Sequence, residues 1–324
     1  MVAQRIRTIF AVIVFSSVVA FSQNVDTRPA ASSLKVDVEL VTVDVSVTDA
    51  DGRHVPGLGR EYFRLWEDKI EQKIEYFATE DSPLTVGIIF DVSASMSANL
   101  VKAKEAALTF LASGNRDDEF FLVEFSDRPN LIQEFTTDID KVKSPLTNMS
   151  AKGATSLYDA VYLGLEKLRN ARNPRKALLV ISDGEDNRSR YSFNDLKRFA
   201  AEKDVKIYAI GIGSGVGPQI GNTLFGGFIL GDILFGPLQL EELAHVTGGE
   251  AFFPQSLGRL NDICKRISDG LKSQYSIGYR STNLNKDGAW RKVNLKLNPP
   301  KGTPRLSVRF KNGYYAATSG VASR

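Results

Sequence analysis

From Leu84 to about Lys272, short apolar runs alternate with helix-like stretches, and this rhythm constrains the fold more than any other feature of the chain. LTVGIIF (84–90) is a continuous apolar run, the pattern of a strand covered on both faces. A helix-compatible stretch, Ala98 to Ala112, follows it, then FFLVEF (120–125) and NLIQEF (130–135), the second reading as an antiparallel edge. SLYDAVYLGLEKL, SFNDLKRFAAEK, LQLEELAHV and Leu257 to Lys272 read as helices; KALLVIS, KIYAIGI and GEAFF read as the strands between them. Such alternation predicts a parallel sheet with helices on both faces over residues 84–272. Ligands of such sheets bind beyond the carboxyl ends of the strands.

The two flanks have a different period. Residues 35–81 and 273–316 alternate apolar with polar positions, as in VDVELVTVDVSV and WRKVNLKL, and are broken by turn signals such as Asp287-Gly288. Residues 35–81 hold twelve acids and six bases, whereas 286–311 hold eight bases and one acid. Opposite charges on adjacent strands attract, so the flanks are expected to pack together as one β module around the inserted central region.

Composition narrows the class. With 43% hydrophobic residues and 41 Lys+Arg against 38 Asp+Glu, the chain is neither disordered nor strongly charged. Arg5 and Arg7 followed by the apolar run Ile9 to Phe21 and Ala20-Phe21-Ser22 read as a cleaved signal peptide over 1–22, so export to the periplasm or beyond is expected. The run is short for a membrane span. The nearly neutral remainder offers no electrostatic handle for nucleic acid. The single cysteine, Cys264, lies in an apolar helical stretch and reads as a buried thiol.

Three segments place oxygen ligands at strand ends: Asp91-Val92-Ser93-Ala94-Ser95, Gly153-Ala154-Thr155-Ser156, and Ser182-Asp183-Gly184-Glu185-Asp186. A carboxylate and two hydroxyls at i, i+2 and i+4 can converge in a turn, with a threonine and a second aspartate from neighbouring loops. Few carboxylates and several neutral oxygens suit Mg²⁺, whereas an all-carboxylate cage would suit Ca²⁺.

DVSAS, the GATS threonine and the SDGED aspartate, in this order and context, resemble the metal-ion-dependent adhesion site of von Willebrand factor type A domains, over roughly residues 84–272. The flanks and the GYY near the C-terminus are similar to those of secreted bacterial proteins related to that family. The resemblance implies a doubly wound, mostly parallel, Rossmann-like α/β fold with a β-sandwich-like module from the flanks. It also implies that Asp91, Ser93, Ser95, Thr155 and Asp183 hold Mg²⁺, with Mn²⁺ or Ca²⁺ as substitutes and Asp183 acting through water. An open coordination position then accepts an Asp or Glu from a partner protein, as in adhesion. A metal-dependent envelope hydrolase and a structural protein with a vestigial site are the alternatives. A hydrolase needs a base or nucleophile near the ion, and only Glu185, Asp186, His54 and His245 offer themselves.

The Gly-rich stretch 211–236 matches no nucleotide-binding spacing. It reads as a long loop, 214–237, on the ligand edge. Its Leu224, Phe225, Phe228, Ile229, Leu234 and Phe235 are candidates for an apolar partner contact, with self-burial or membrane contact as the other readings. Asn148 and Asn187 stand in glycosylation sequons that matter only in a glycosylating pathway.

Overall fold

Val43, Val45 and Val47 are buried while Leu40 and Thr42 before them are exposed, and they lie on β1 (Leu40–Thr48), the first strand of the computed structural model. The structure describes residues 40–80, 82–212, 230–254, 257–300 and 302–318. The expected signal peptide and the start of the first β segment lie outside them. Next come β2 (Phe63–Glu67), β3 (Ile70–Gln72) and β4 (Ile74–Glu80).

The central region opens with β5 (Leu84–Asp91), buried at every residue. It continues through α1 (Leu100–Ala112), β6 (Glu119–Phe125), β7 (Pro129–Thr136), α2 (Ile139–Asn148), α3 (Leu157–Lys167), β8 (Arg175–Ser182), α4 (Phe193–Glu202), β9 (Lys206–Gly211), α5 (Leu230–Val246), β10 (Ala251–Phe252) and α6 (Leu260–Lys272). The sheet order is β10-β9-β8-β5-β6-β7, parallel except for β7, which runs antiparallel on the edge as its sequence suggests. Each strand feeds both faces. Val86, Ile88 and Phe90 join a core with α1, α2 and α6, whereas Ile89 joins one with α3, α4 and α5. Cys264 is buried in the first core beside the Ala106 carbonyl, and burial pushes its thiol up to about 12.

Two elements depart from the sequence reading. Helix α2 was not expected, because Pro145 and its scattered charges blur the period; Asp138 caps it by accepting from Asp140 N. Helix α5 begins at Leu230 and runs through Pro237, so the loop expected over 214–237 is helical from residue 230 onward. Proline usually interrupts a helix, which is why the sequence pattern points to a start after it. Leu234 and Phe235 therefore belong to a helix; Leu224, Phe225, Phe228 and Ile229 lie outside the described residues.

The chain closes with β11 (Gln274–Arg280), β12 (Trp290–Leu297), β13 (Ser307–Arg309) and β14 (Gly313–Tyr315). The flanks interleave into two sheets, β13-β1-β11-β4 and β14-β12-β2-β3. Val45, Phe63, Leu65, Tyr275, Ile277 and Val293, drawn from both, share one core. This is the expected sandwich-like module, but burial rather than charge pairing carries it. Register sets Lys296 opposite Arg64, and Arg64 pairs with Glu71 of its own flank. The buried Glu67 accepts hydrogen bonds from Tyr279 (2.7 Å), Tyr314 (2.8 Å) and Ser281 inside this core.

The module meets the central layer at the strand starts. Lys206, the first residue of β9, is buried and donates to Gln274 Oε1 of β11 (2.8 Å) and to the Asp44 carbonyl of β1 (3.4 Å). The carboxyl ends of the central strands are thereby left on the opposite edge. No helix among the described residues is long and apolar enough to cross a membrane.

Candidate metal centre

Asp91 ends β5 at the centre of the sheet, with no exposed surface. Its Oδ1 accepts from Ser93 N (2.8 Å) and its Oδ2 from Ser182 Oγ (2.6 Å). Burial pushes its carboxyl up to about 6 against the opposing pull of those hydrogen bonds. Among the described residues this carboxylate has no cationic partner, and a divalent ion would supply one. Ser93 is buried, Ser95 is exposed, and their hydroxyls lie 3.0 Å apart, so two neutral oxygens converge two and four residues beyond the carboxylate.

The second loop is tied to the first through the backbone. Ala94 N donates to the Gly153 carbonyl (3.0 Å), and Lys152 N donates to the Val92 carbonyl (2.7 Å). Gly153 has φ +77°, and a Cβ there would sit 2.7 Å from Asp127 Oδ2, so the turn needs glycine. Asp127 itself accepts from Ala154 N at 3.0 Å. Thr155 is buried. Beside it the fully buried Ser156 hydroxyl has no hydrogen-bond partner among the described residues.

The third loop is tied to the second by reciprocal bonds. Asn187 Oδ1 accepts from Thr155 N (2.9 Å), while Asn187 N and Arg188 N both donate to the Thr155 carbonyl. Asp186 accepts from Tyr158 N, capping the start of α3. Asp183 is half-buried, and its Oδ1 accepts from Glu185 N (3.2 Å). The hydroxyl of Ser182, which precedes it, reaches Asp91, so all three loops are joined pairwise.

The five residues singled out from the sequence, Asp91, Ser93, Ser95, Thr155 and Asp183, thus stand on loops held together by hydrogen bonds. The sequence reading missed Ser182, Asn187 and Asp159, which accepts from Arg190, as supports; Ser182 lay inside a metal-site motif and Asn187 only in a sequon. Among the described residues no three of His, Cys, Asp and Glu gather into a ligand cluster. The donor set is hydroxyl-rich, which fits Mg²⁺ with retained waters better than an acidic Ca²⁺ cage or a thiolate zinc site. The orphaned Ser156 hydroxyl is a further polar atom beside Thr155 that an ion's water could satisfy. Neither histidine stands here. His54 pairs with Ser46 in the sandwich-like module, and His245 lies in the last turn of α5.

The sequence profile of the von Willebrand factor type A domain matches residues 86–185. An uncharacterized protein of Borreliella burgdorferi is 25% identical over 174 residues, which cover 50% of this chain and 51% of that one. Inter-alpha-trypsin inhibitor heavy chain H1 of Sus scrofa is 31% identical over 126 residues, covering 34% of this chain and 14% of that protein. The chain therefore spans about half the length of one of these relatives and a small part of the other. A solved von Willebrand factor type A structure from Catenulispora acidiphila superposes with a TM-score of 0.49 at 12% identity, covering 87% of this chain and 74% of that one. With its mostly parallel α/β layer and the three loops joined at one edge, this chain contains a von Willebrand factor type A domain.

Proposed function

We propose that this chain is an exported interaction module rather than an enzyme. Its type A domain holds Mg²⁺ through Asp91, Ser93, Ser95 and Thr155, with Asp183 acting through water, and presents it to an Asp or Glu of a partner protein. The observation that carries the reading is the buried, uncompensated Asp91, placed where three hydrogen-bonded loops bring hydroxyl donors to one edge. Membership of the type A family supports the same site. A bound divalent ion with mostly neutral ligands is electrophilic and attracts an incoming carboxylate in a partly dry site. The residues of the chain do the rest. Ser182 and the Ser93 amide orient Asp91, Asn187 fixes Thr155, and the sandwich-like module leaves the edge clear. No histidine adjoins the loops to serve as a base for hydrolysis.

The test is a pull-down with the full chain from envelope and culture fractions, with and without EDTA. Partner capture should require the ion and be lost in Asp91→Ala, while circular dichroism shows both proteins folded. Capture indifferent to EDTA and to Asp91→Ala would refute the mechanism.

A further inference from the structure

Asp159, in the first turn of α3, is buried and gathers three donors from the third loop. The backbone N–H groups of Arg190 (3.0 Å) and Tyr191 (3.3 Å) reach its Oδ1, and Arg190 Nε reaches its Oδ2 at 2.9 Å. The Asp159 side chain is 6% exposed, while the arginine it holds is 82% exposed. Tyr191 is braced from the other side. Its ring stacks on Tyr162 at 4.2 Å, and Tyr162 stacks on Phe199 at 4.1 Å.

A surface arginine ordinarily loses rotamer freedom when it grips a ligand. Here the backbone and Nε of Arg190 are fixed beforehand, which lowers that cost. Only Nε is engaged; among the described residues Nη1 and Nη2 have no partner. A guanidinium anchored at Nε with its Nη pair free is the geometry that takes a carboxylate end-on in two parallel hydrogen bonds.

Its place in the fold gives this arginine a role. Arg188 N donates to the Thr155 carbonyl at 2.9 Å, and Arg190 follows Arg188 by two residues, at most about 7 Å of chain. Arg190 therefore lies within two residues of chain and one side chain of the backbone of the candidate ion ligand. Short-range hydrogen bonding is what the arginine contributes.

We propose that Arg190 is a second anchor for the partner, so that the partner segment carries two acidic residues, one directed to the ion and one to Arg190. This rests on the ion-dependent reading above. For a separation on the order of 10 Å, an extended segment rising about 3.3 Å per residue places the two acids about three residues apart.

The test uses two extended Gly/Ser-framed peptides, one with a single Glu and one with Glu at positions i and i+3. They are titrated against the full chain and its variants in Mg²⁺ and in EDTA. The parent should bind the two-Glu peptide about tenfold more tightly than the one-Glu peptide. In Arg190→Gln the ratio should fall to about two, the statistical value for two equivalent acids. Arg190→Lys keeps the charge but not the fork, and should give about threefold. Asp159→Asn frees the arginine without removing it and should give an intermediate ratio. Because each ratio is taken within one protein, a change in metal affinity or folded fraction cancels. A parent without preference, or a preference that survives Arg190→Gln, overturns the second anchor alone if binding still needs Mg²⁺. Equal binding in EDTA overturns the ion-dependent reading beneath it, and no binding of either peptide overturns both.

Discussion

Single side chains in this protein divide between the edge of the candidate metal site and the opposite edge, and each side has its own chemistry. At the candidate site, Asp91 is legible from the sequence because DVSAS directly follows a buried strand. The supports of that edge are not. Asp159 and Arg190 lie 31 positions apart, and Asn187 meets Thr155 across 32, so no local spacing announces them. On the opposite side, His54 pairs with Ser46 Oγ, and burial holds its imidazole below the usual 6.5, against the pull of Asp269 and Glu250. The unfolded chain binds a proton near 6.5 and the folded chain only at lower pH. The stability His54 provides is therefore complete above 6.5 and is lost as pH falls through its folded value. Chemical denaturation of the parent and His54→Gln at about pH 7.5 and about pH 5 should show a smaller acid loss in the variant. Identical losses would remove His54 from the acid response.

Elements follow their residues except where they are very short or interrupted by proline. The long buried strands β5 and β8 are plain in the sequence because parallel central strands are apolar throughout. Strands β3 and β14, three residues each, are too short to show a period, and α2 is masked by Pro145. The turn after β8 depends on Gly184, which has φ +87° and would place a Cβ 2.8 Å from the Gly236 backbone. Gly184→Ala should therefore cost about 1–3 kcal/mol by urea titration, since strain and a backbone clash coincide. No change would mean that the loop can move away from α5. In the sandwich-like module the Tyr314 hydroxyl donates to buried Glu67, and burial pushes that phenol up to about 12. Tyr314→Phe should lose about 1–3 kcal/mol because a buried carboxylate forfeits a donor. An unaltered melting temperature would show that Tyr279 and Ser281 suffice.

In the whole molecule, the sandwich-like module packs against the starts of the central strands, at the edge opposite the loops that carry Asp91 and Thr155. Sequence alternation marks the flanks as strands and their opposite charges suggest that they join, although those charges do not account for the apolar core they form. Lys206 is the measure of the joint: burial lowers its ammonium to about 8, yet it bonds across to Gln274 and Asp44. Residues 82–272 expressed alone should be less stable than the full chain in urea, because removal of the flanks exposes the surface under which Lys206 lies. Equal two-state stability would make the module an independent attachment. The direct measurement of ion binding is the melting temperature of the full chain and of Asp91→Ala across a Mg²⁺ titration, each begun in EDTA. A site that binds the folded chain raises the parent's melting temperature in proportion to the logarithm of excess ion. The expected result is a rise in the parent that continues with the logarithm of Mg²⁺ and is absent in Asp91→Ala; equal shifts in both proteins, or none in either, would contradict it.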